Sequence, residues 1–282
     1  MSARYKITHT SHYEYDRSVA ASFNEARLTP AQTPWQVRLE SNLQVDPSSW
    51  HHRFTDYWGN EVRVFEANGA HRALNVRATS LVEIDASRRP APVPVDWADL
   101  RTREVLDEQV EFLTQTPTTA PPGELADLAE SIAADNTPAD AARLICDAVH
   151  EALTYVPGAT EVHTKAAEAW AERSGVCQDY AHLAVGALRH VGVPARYISG
   201  YLHPAAEPVV GATAQGESHA WVEAWLGEWA AFDPTNRSEV AERHVMIGAG
   251  RDYGDVPPIK GIVAGPHLTN SLAVTVELTR LA

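Results

Sequence analysis

Three residues in the C-terminal half have the types and order that nucleophilic chemistry needs. Cys177, His219 and Asp233 supply a thiol, an imidazole and a carboxylate: a nucleophile, its base and the group that orients the base. Singly, each has a bland alternative. A cysteine in an apolar setting is usually inert core, a strand histidine is usually a satisfied hydrogen bonder, and an aspartate before proline is commonly a turn former. As an ordered set, each at the edge of an expected regular element, they favour chemistry.

The elements that must position them follow from local pattern. Gly175 breaks what precedes it and Ser174 can cap a helix. Tyr180, Ala184, Ala187, Leu188 and Val191 recur at helical spacing, and Gly192 with Pro194 ends the run. Cys177 therefore belongs in the first turn of a buried helix, where unpaired N–H groups and the positive dipole end favour a thiolate.

His219 to Leu226 has strand alternation, with His219, Trp221, Glu223 and Trp225 on one face. Trp229 to Asp233 suits the return strand. His219 and Asp233 share a face only if the intervening loop is odd in length or bulged; a strict two-residue turn at Gly227-Glu228 would oppose them. An odd loop is therefore expected. The Cys177 N–H is one candidate oxyanion donor. The side chains of Gln178, Trp221 and Tyr155 are candidates for a second, and the sequence does not choose among them.

Five separated pieces, in order, resemble the transglutaminase-like superfamily: Gly175-Val176-Cys177-Gln178-Asp179-Tyr180; Leu188-Arg189 with Gly192-Val193-Pro194-Ala195-Arg196; Gly200-Tyr201; His219-Ala220-Trp221-Val222-Glu223; and Asp233-Pro234-Thr235. The resemblance implies a papain-related core, with Cys177 as nucleophile, His219 as general base and Asp233 as orienting acid. It also places the Tyr155 loop near the nucleophile, making Tyr155 a site-wall candidate. Tyr5-Lys6-Ile7-Thr8-His9 with Tyr13, Arg27-Leu28-Thr29-Pro30 and Asp56-Tyr57-Trp58-Gly59-Asn60 resemble the N-terminal domain of one bacterial group in that superfamily.

The fold class expected is α+β. An antiparallel β-sandwich-like module of six or so strands over residues 1–86 is followed by a proline-rich linker over 87–96. A helical segment and a papain- or transglutaminase-like core then occupy 97–282. Gly59-Asn60 and Asn68-Gly69 suggest hairpin turns. Helices are expected over Trp97–Leu113, Glu124–Ala134, from a Thr137 cap to about Leu153, and over Thr164–Glu172. Pro204 to Ser218 is expected to be a loop over the site. Leu272, Val274, Val276 and Leu278 alternate in a last strand that should close a sheet, and Arg251 to Pro258 resembles the group's C-terminal loop and is placed within reach of the cleft.

The 282 residues carry a net charge of −14, which argues against nucleic acid and anionic membrane as partners. No apolar run approaches the ~18 residues of a membrane helix. Only two cysteines are present, and with no leader pattern they suggest a reduced, cytoplasmic chain. Cys146 falls on an apolar helical stripe and suits a core role. No cofactor is required by this chemistry, and no calcium-type oxygen-ligand loop is present. Histidines 9, 12, 51 and 52 lack partners at metal-ligand spacing, as does a Cys177, His182 and His203 set. The partner expected is a peptide or protein amide, with hydrolysis favoured over aminolysis.

Overall fold

The computed structural model describes residues 2–89, 93–264 and 270–282. The fold is α+β. In chain order the strands of the first part are β1 (Ser2–Ala26), β2 (Gln36–Asp46), β3 (Trp50–Thr55) and β4 (Glu61–Asp85). Six helices and two short strands follow: α1 (Arg103–Glu108), α2 (Val110–Leu113), α3 (Gly123–Asp135), α4 (Pro138–Ala152), β5 (Thr154–Tyr155), α5 (Ala166–Glu172), β6 (Ser174–Gly175) and α6 (Cys177–His190). The chain ends in β7 (Ala195–Leu202), β8 (Thr213–Trp225), β9 (Trp229–Phe232), β10 (His244–Gly250), β11 (Ile259–Ala264) and β12 (Asn270–Arg280). Among the described residues, no helix is long and apolar enough to cross a membrane.

The N-terminal module is a long antiparallel ribbon of β1 and β4 that bends on itself. Its two halves face each other through Tyr15, Val19, Phe65, Ala67, Leu74 and Val76, which makes it sandwich-like. β2 and β3 pair with opposite ends of β4, and β11 and β12 with opposite ends of β1. The Asn68-Gly69 pair, expected to be a hairpin turn, lies inside β4. There the register against β1 shifts between Val19↔His71 and Ala21↔Asn68, and Gly69 takes φ +100°. The pair marks the ribbon's bulged bend, since positive φ serves a bulge as well as a turn.

β8 joins the two parts. Its first residues, Thr213 to Gly216, pair with β12, and Glu217 to Ala224 pair with β7. The stretch expected to be a loop up to Ser218 is therefore strand from Thr213 onward; its glycine and alanine content hid a partner about 60 residues away. The helix expected over Trp97–Leu113 is broken into short pieces, α1 and α2. Of the proline-rich stretch, residues 90–92 lie outside the described residues.

α6 packs on one face of β7 and β8. Leu183, Ala184, Ala187 and Leu188 meet Ala195, Ala220, Val222 and Ala224 in one buried cluster. Burial of each such leucine contributes roughly 1.5–3 kcal/mol. On the other face Trp35, Ile198, Trp221, Val240 and Met246 form a second cluster. The charged members of the motifs are structural here. Arg196 and Glu223 are register partners on β7 and β8, and the guanidinium donates Nε and Nη2 to one carboxylate oxygen of a Glu223 that is 1% exposed. Arg189, buried, donates to the carbonyls of Phe112, Thr114, Ala195 and Arg251 at 2.7–3.1 Å.

The module grips β10 through two side-chain amides that imitate strand pairing. Gln36 donates Nε2 to the Met246 carbonyl at 2.7 Å and accepts the Met246 N–H at 2.8 Å. Asn60 does the same with Ala249, at 3.0 and 2.9 Å.

Candidate active site

Cys177 is the first residue of α6 and is partly buried. Its helix position leaves its backbone N–H without an intrahelical acceptor. The turn into it is set by Asp179, whose Oδ2 accepts the Val176 N–H at 2.8 Å and the Thr160 hydroxyl at 2.6 Å. A Cβ at residue 175 would lie 2.7 Å from that same oxygen, so glycine is required there. Ser174 is no helix cap; it pairs as β6 with β5. That pairing sets Tyr155 opposite Gly175, beside the approach to the thiol.

His219 lies on β8, and Asp233 directly follows β9. Trp225 pairs with Trp229, so the loop holds three residues, Leu226 to Glu228. Leu226 N–H donates to the Glu228 carbonyl at 2.9 Å, and Gly227 adopts φ +79°. The odd loop puts His219 and Asp233 on one face, a diagonal step apart. His219 Nε2 meets Asp233 Oδ2 at 2.9 Å, with both residues buried. This engages Nε2 and leaves Nδ1 as the ring nitrogen for the thiol.

Asp233 is saturated. Oδ1 accepts the backbone N–H groups of Thr235 and Asn236 at 3.0 and 3.1 Å. Oδ2 accepts from His244 Nε2 at 3.1 Å and Asn236 Nδ2 at 2.9 Å, besides His219. Burial alone would raise this carboxyl, but the hydrogen bonds from His219, His244 and Asn236 hold it far below the usual carboxylate range. For His219, burial opposes the charged ring, yet Asp233 and Cys177 outweigh it and push the imidazole up to about 9. The site thus favours a protonated ring held between the Asp233 carboxylate and Cys177.

The three candidates for a second oxyanion donor separate. Tyr155 is 43% exposed and lines a cleft of about 290 Å³ with Leu202, Gln215, Glu217, His219 and Asn236. Burial, then the charges of Cys177 and Glu217, push its hydroxyl up to about 12. Gln178 is buried and donates to the Val162 carbonyl at 3.2 Å, tying the 162 loop to the helix. Trp221 is fully buried in the cluster on the face of the sheet away from α6, the face it shares with His219, and is not among the residues that line the cleft. It stacks on His219 with centroids 6.0 Å apart and meets His244 edge-on at 5.4 Å, so it fixes both rings.

Two residues of this site were missed in the sequence. Asn236 had a readable signal, since an aspartate commonly accepts backbone N–H groups two and three residues on. His244 had none; β10 brings it in. Among the described residues, His219, Asp233 and His244 are the group that could hold a metal, with ligand atoms within 4.8 Å of one another. Those atoms are already joined by hydrogen bonds. His182 and His203 are used elsewhere: His182 accepts the Tyr253 N–H at 3.1 Å, and His203 the Ala205 N–H at 3.2 Å. The 251–258 loop thus meets the cysteine helix through His182, and none of its residues lines the cleft beside His219. Cys146 is buried and unpaired, and burial pushes its thiol up.

Comparison with known proteins agrees in extent and order. The sequence pattern of the transglutaminase-like superfamily matches residues 126–234, and that of the bacterial transglutaminase-like N-terminal region matches residues 5–83. An uncharacterised protein of Mycobacterium leprae is 40% identical over 279 residues, covering 99% of both chains. A protein-glutamine gamma-glutamyltransferase of Pseudomonas aeruginosa is 35% identical over 96 residues, 30% of this chain and 14% of that protein. A crystal structure from Cytophaga hutchinsonii, provisionally assigned as a cysteine protease, superposes with a TM-score of 0.79 at 22% identity. It covers 100% of this chain and 92% of that one, and shows the same fold.

Proposed function

Because the chain belongs to the transglutaminase-like superfamily, we propose that it is a cysteine acyl-transfer enzyme acting on amide carbonyls of peptides or proteins. The observation that carries this is the clamp on His219, which engages Nε2 with Asp233 and leaves Nδ1 for Cys177.

Cys177 sulfur attacks the carbonyl carbon, and the resulting oxyanion takes a hydrogen bond from the Cys177 N–H. His219 then gives its proton to the leaving nitrogen, the C–N bond breaks, and a thioester remains. Water or an amine attacks the thioester while His219 takes back a proton, and the thiolate departs. Hydrolysis, as a peptidase or amidase, is the reading favoured by a cleft open to solvent at Tyr155. Aminolysis is the alternative, supported by the 96-residue likeness to a glutamyltransferase. Two unpaired cysteines support a reducing compartment such as the cytoplasm.

Intact-mass spectrometry after incubation with glutamine-containing peptides, with and without a primary amine, tests the reading. An acyl adduct on Cys177 is expected, absent in Cys177→Ala. A Cys177 that forms no adduct and reacts with iodoacetamide no faster than a model thiol would indicate a silent peptide-binding scaffold.

A further inference from the structure

The cleft beside His219 carries a charge that the acyl-transfer cycle does not use. Glu217 lies on β8 two residues before His219, so both point to the same side of the strand. Its register partner is Leu202, and both residues line the cleft with Tyr155 and Gln215. Glu217 is exposed, and among the described residues no cation lies within ion-pairing distance of it. Asp233, the other carboxylate at the site, is spent on five hydrogen bonds. Tyr155 lines the same cleft, and its hydroxyl is pushed up by burial and by both Cys177 and Glu217.

We propose that Glu217 is a specificity-determining residue that selects substrates carrying a positive charge next to the reacting carbonyl. The proposal rests on the acyl-transfer reading of Cys177 and His219. Along a strand, residues two apart are separated by roughly 6.5–7 Å. A carboxylate whose backbone position is one such step from that of the general base suits an ammonium or guanidinium about one residue from the amide. Two sources have this chemistry: a basic side chain on the acyl donor, and a diamine or lysine side chain that resolves the thioester. Among the other cleft walls, His219 carries a charge that is already paired with Asp233, and Leu202, Gln215, Tyr155 and Asn236 are uncharged at neutral pH, so the selection falls to Glu217 and is sensitive to salt.

The test reads charge selectivity at Cys177 without needing the natural substrate. The full chain is treated with three methanethiosulfonates of similar size, one cationic, one neutral and one anionic, and modification of Cys177 is followed by mass spectrometry. Each charged rate is taken relative to the neutral one. In the native protein the cationic reagent should be favoured over the anionic by about three- to tenfold more than in free cysteine. Glu217→Gln should remove that excess, Glu217→Lys should invert it, and 0.5 M salt should shrink it. An unchanged ratio in Glu217→Gln overturns the proposal. A neutral-reagent rate no faster than free cysteine instead sinks the nucleophile reading, and this proposal with it. Turnover then separates the sources. If the charge belongs to the acceptor, Glu217→Gln loses its preference for cadaverine over neutral hydroxylamine. If it belongs to the donor, it loses its preference for lysine-flanked over glutamate-flanked glutamine peptides.

Discussion

His219 meets Asp233 through Nε2 and Oδ2 at 2.9 Å, and this pairing decides which nitrogen faces the thiol. Asp233→Asn keeps the shape but removes the charge that holds the imidazolium. Turnover is expected to fall on the order of 10²- to 10⁴-fold, and the iodoacetamide rate of Cys177 at pH 7 to fall with it. An unchanged alkylation rate would count against the ion-pair description.

His244 shares the same carboxylate oxygen. Its Nδ1 accepts the Ala241 N–H at 3.3 Å, which assigns the proton to Nε2 and makes the ring a neutral donor to Asp233. Burial lowers its pKa, against the pull of Asp233. His244→Phe should slow turnover by about tenfold, and His244→Gln, which keeps a donor, should recover part of the loss. A merely structural role would lower the melting temperature without moving the upper limb of the pH–rate profile. The positioning role predicts that the limb moves.

Stability should fall on both sides of neutrality. His9, bonded to Ser11 and Tyr201 in the sheet, and His182, on the buried side of the cysteine helix, are both lowered to about 4 by burial. A histidine kept neutral in the fold gains its proton more easily when unfolded. Its contribution is complete above the unfolded value near ~6.5 and is lost as pH falls from there toward about 4, up to roughly 3 kcal/mol each. His219, raised to about 9, behaves oppositely: its contribution is complete below ~6.5 and is lost as pH rises through about 9. Urea midpoints at pH 5 and pH 9.5 should both lie below that at pH 7, and His9→Gln should flatten the acid side. Equal midpoints at pH 5 and 7 would refute the acid half.

The amide grips on β10 should be measurable. Gln36→Ala leaves the buried N–H of Met246 unpaired, its carbonyl keeping the Ala31 N–H, and Asn60→Ala removes the partner of both the N–H and the carbonyl of Ala249, each at a cost of about 1–3 kcal/mol. Hydrogen exchange at the Met246 and Ala249 amides should speed up in the matching variant. If exchange there matches the native protein, the grips are incidental.

Much of the site was legible because its signals are local. The run from Cys177 to Gly192 carries its own period and stop signal, and the parity argument for the 226–228 loop needed only strand alternation. What was hidden depends on distant partners. Asn68-Gly69 suits a turn and a bulge equally, and only β1 opposite it decides. Thr213 to Ser218 becomes strand because β12 lies beside it. Trp221 looked like a cleft residue until the second face of the sheet was covered by Trp35 and Met246.

The grips of Gln36 and Asn60 bear on how such proteins can be recombined. β10 opens with His244, so the N-terminal half splints the strand that steadies the site's carboxylate. A chimaera that joins one relative's first half to another's second half inherits two side-chain amides aimed at a foreign strand edge. Its thiol would be intact, but the backing of its acid would depend on whether those two amides still found their rungs.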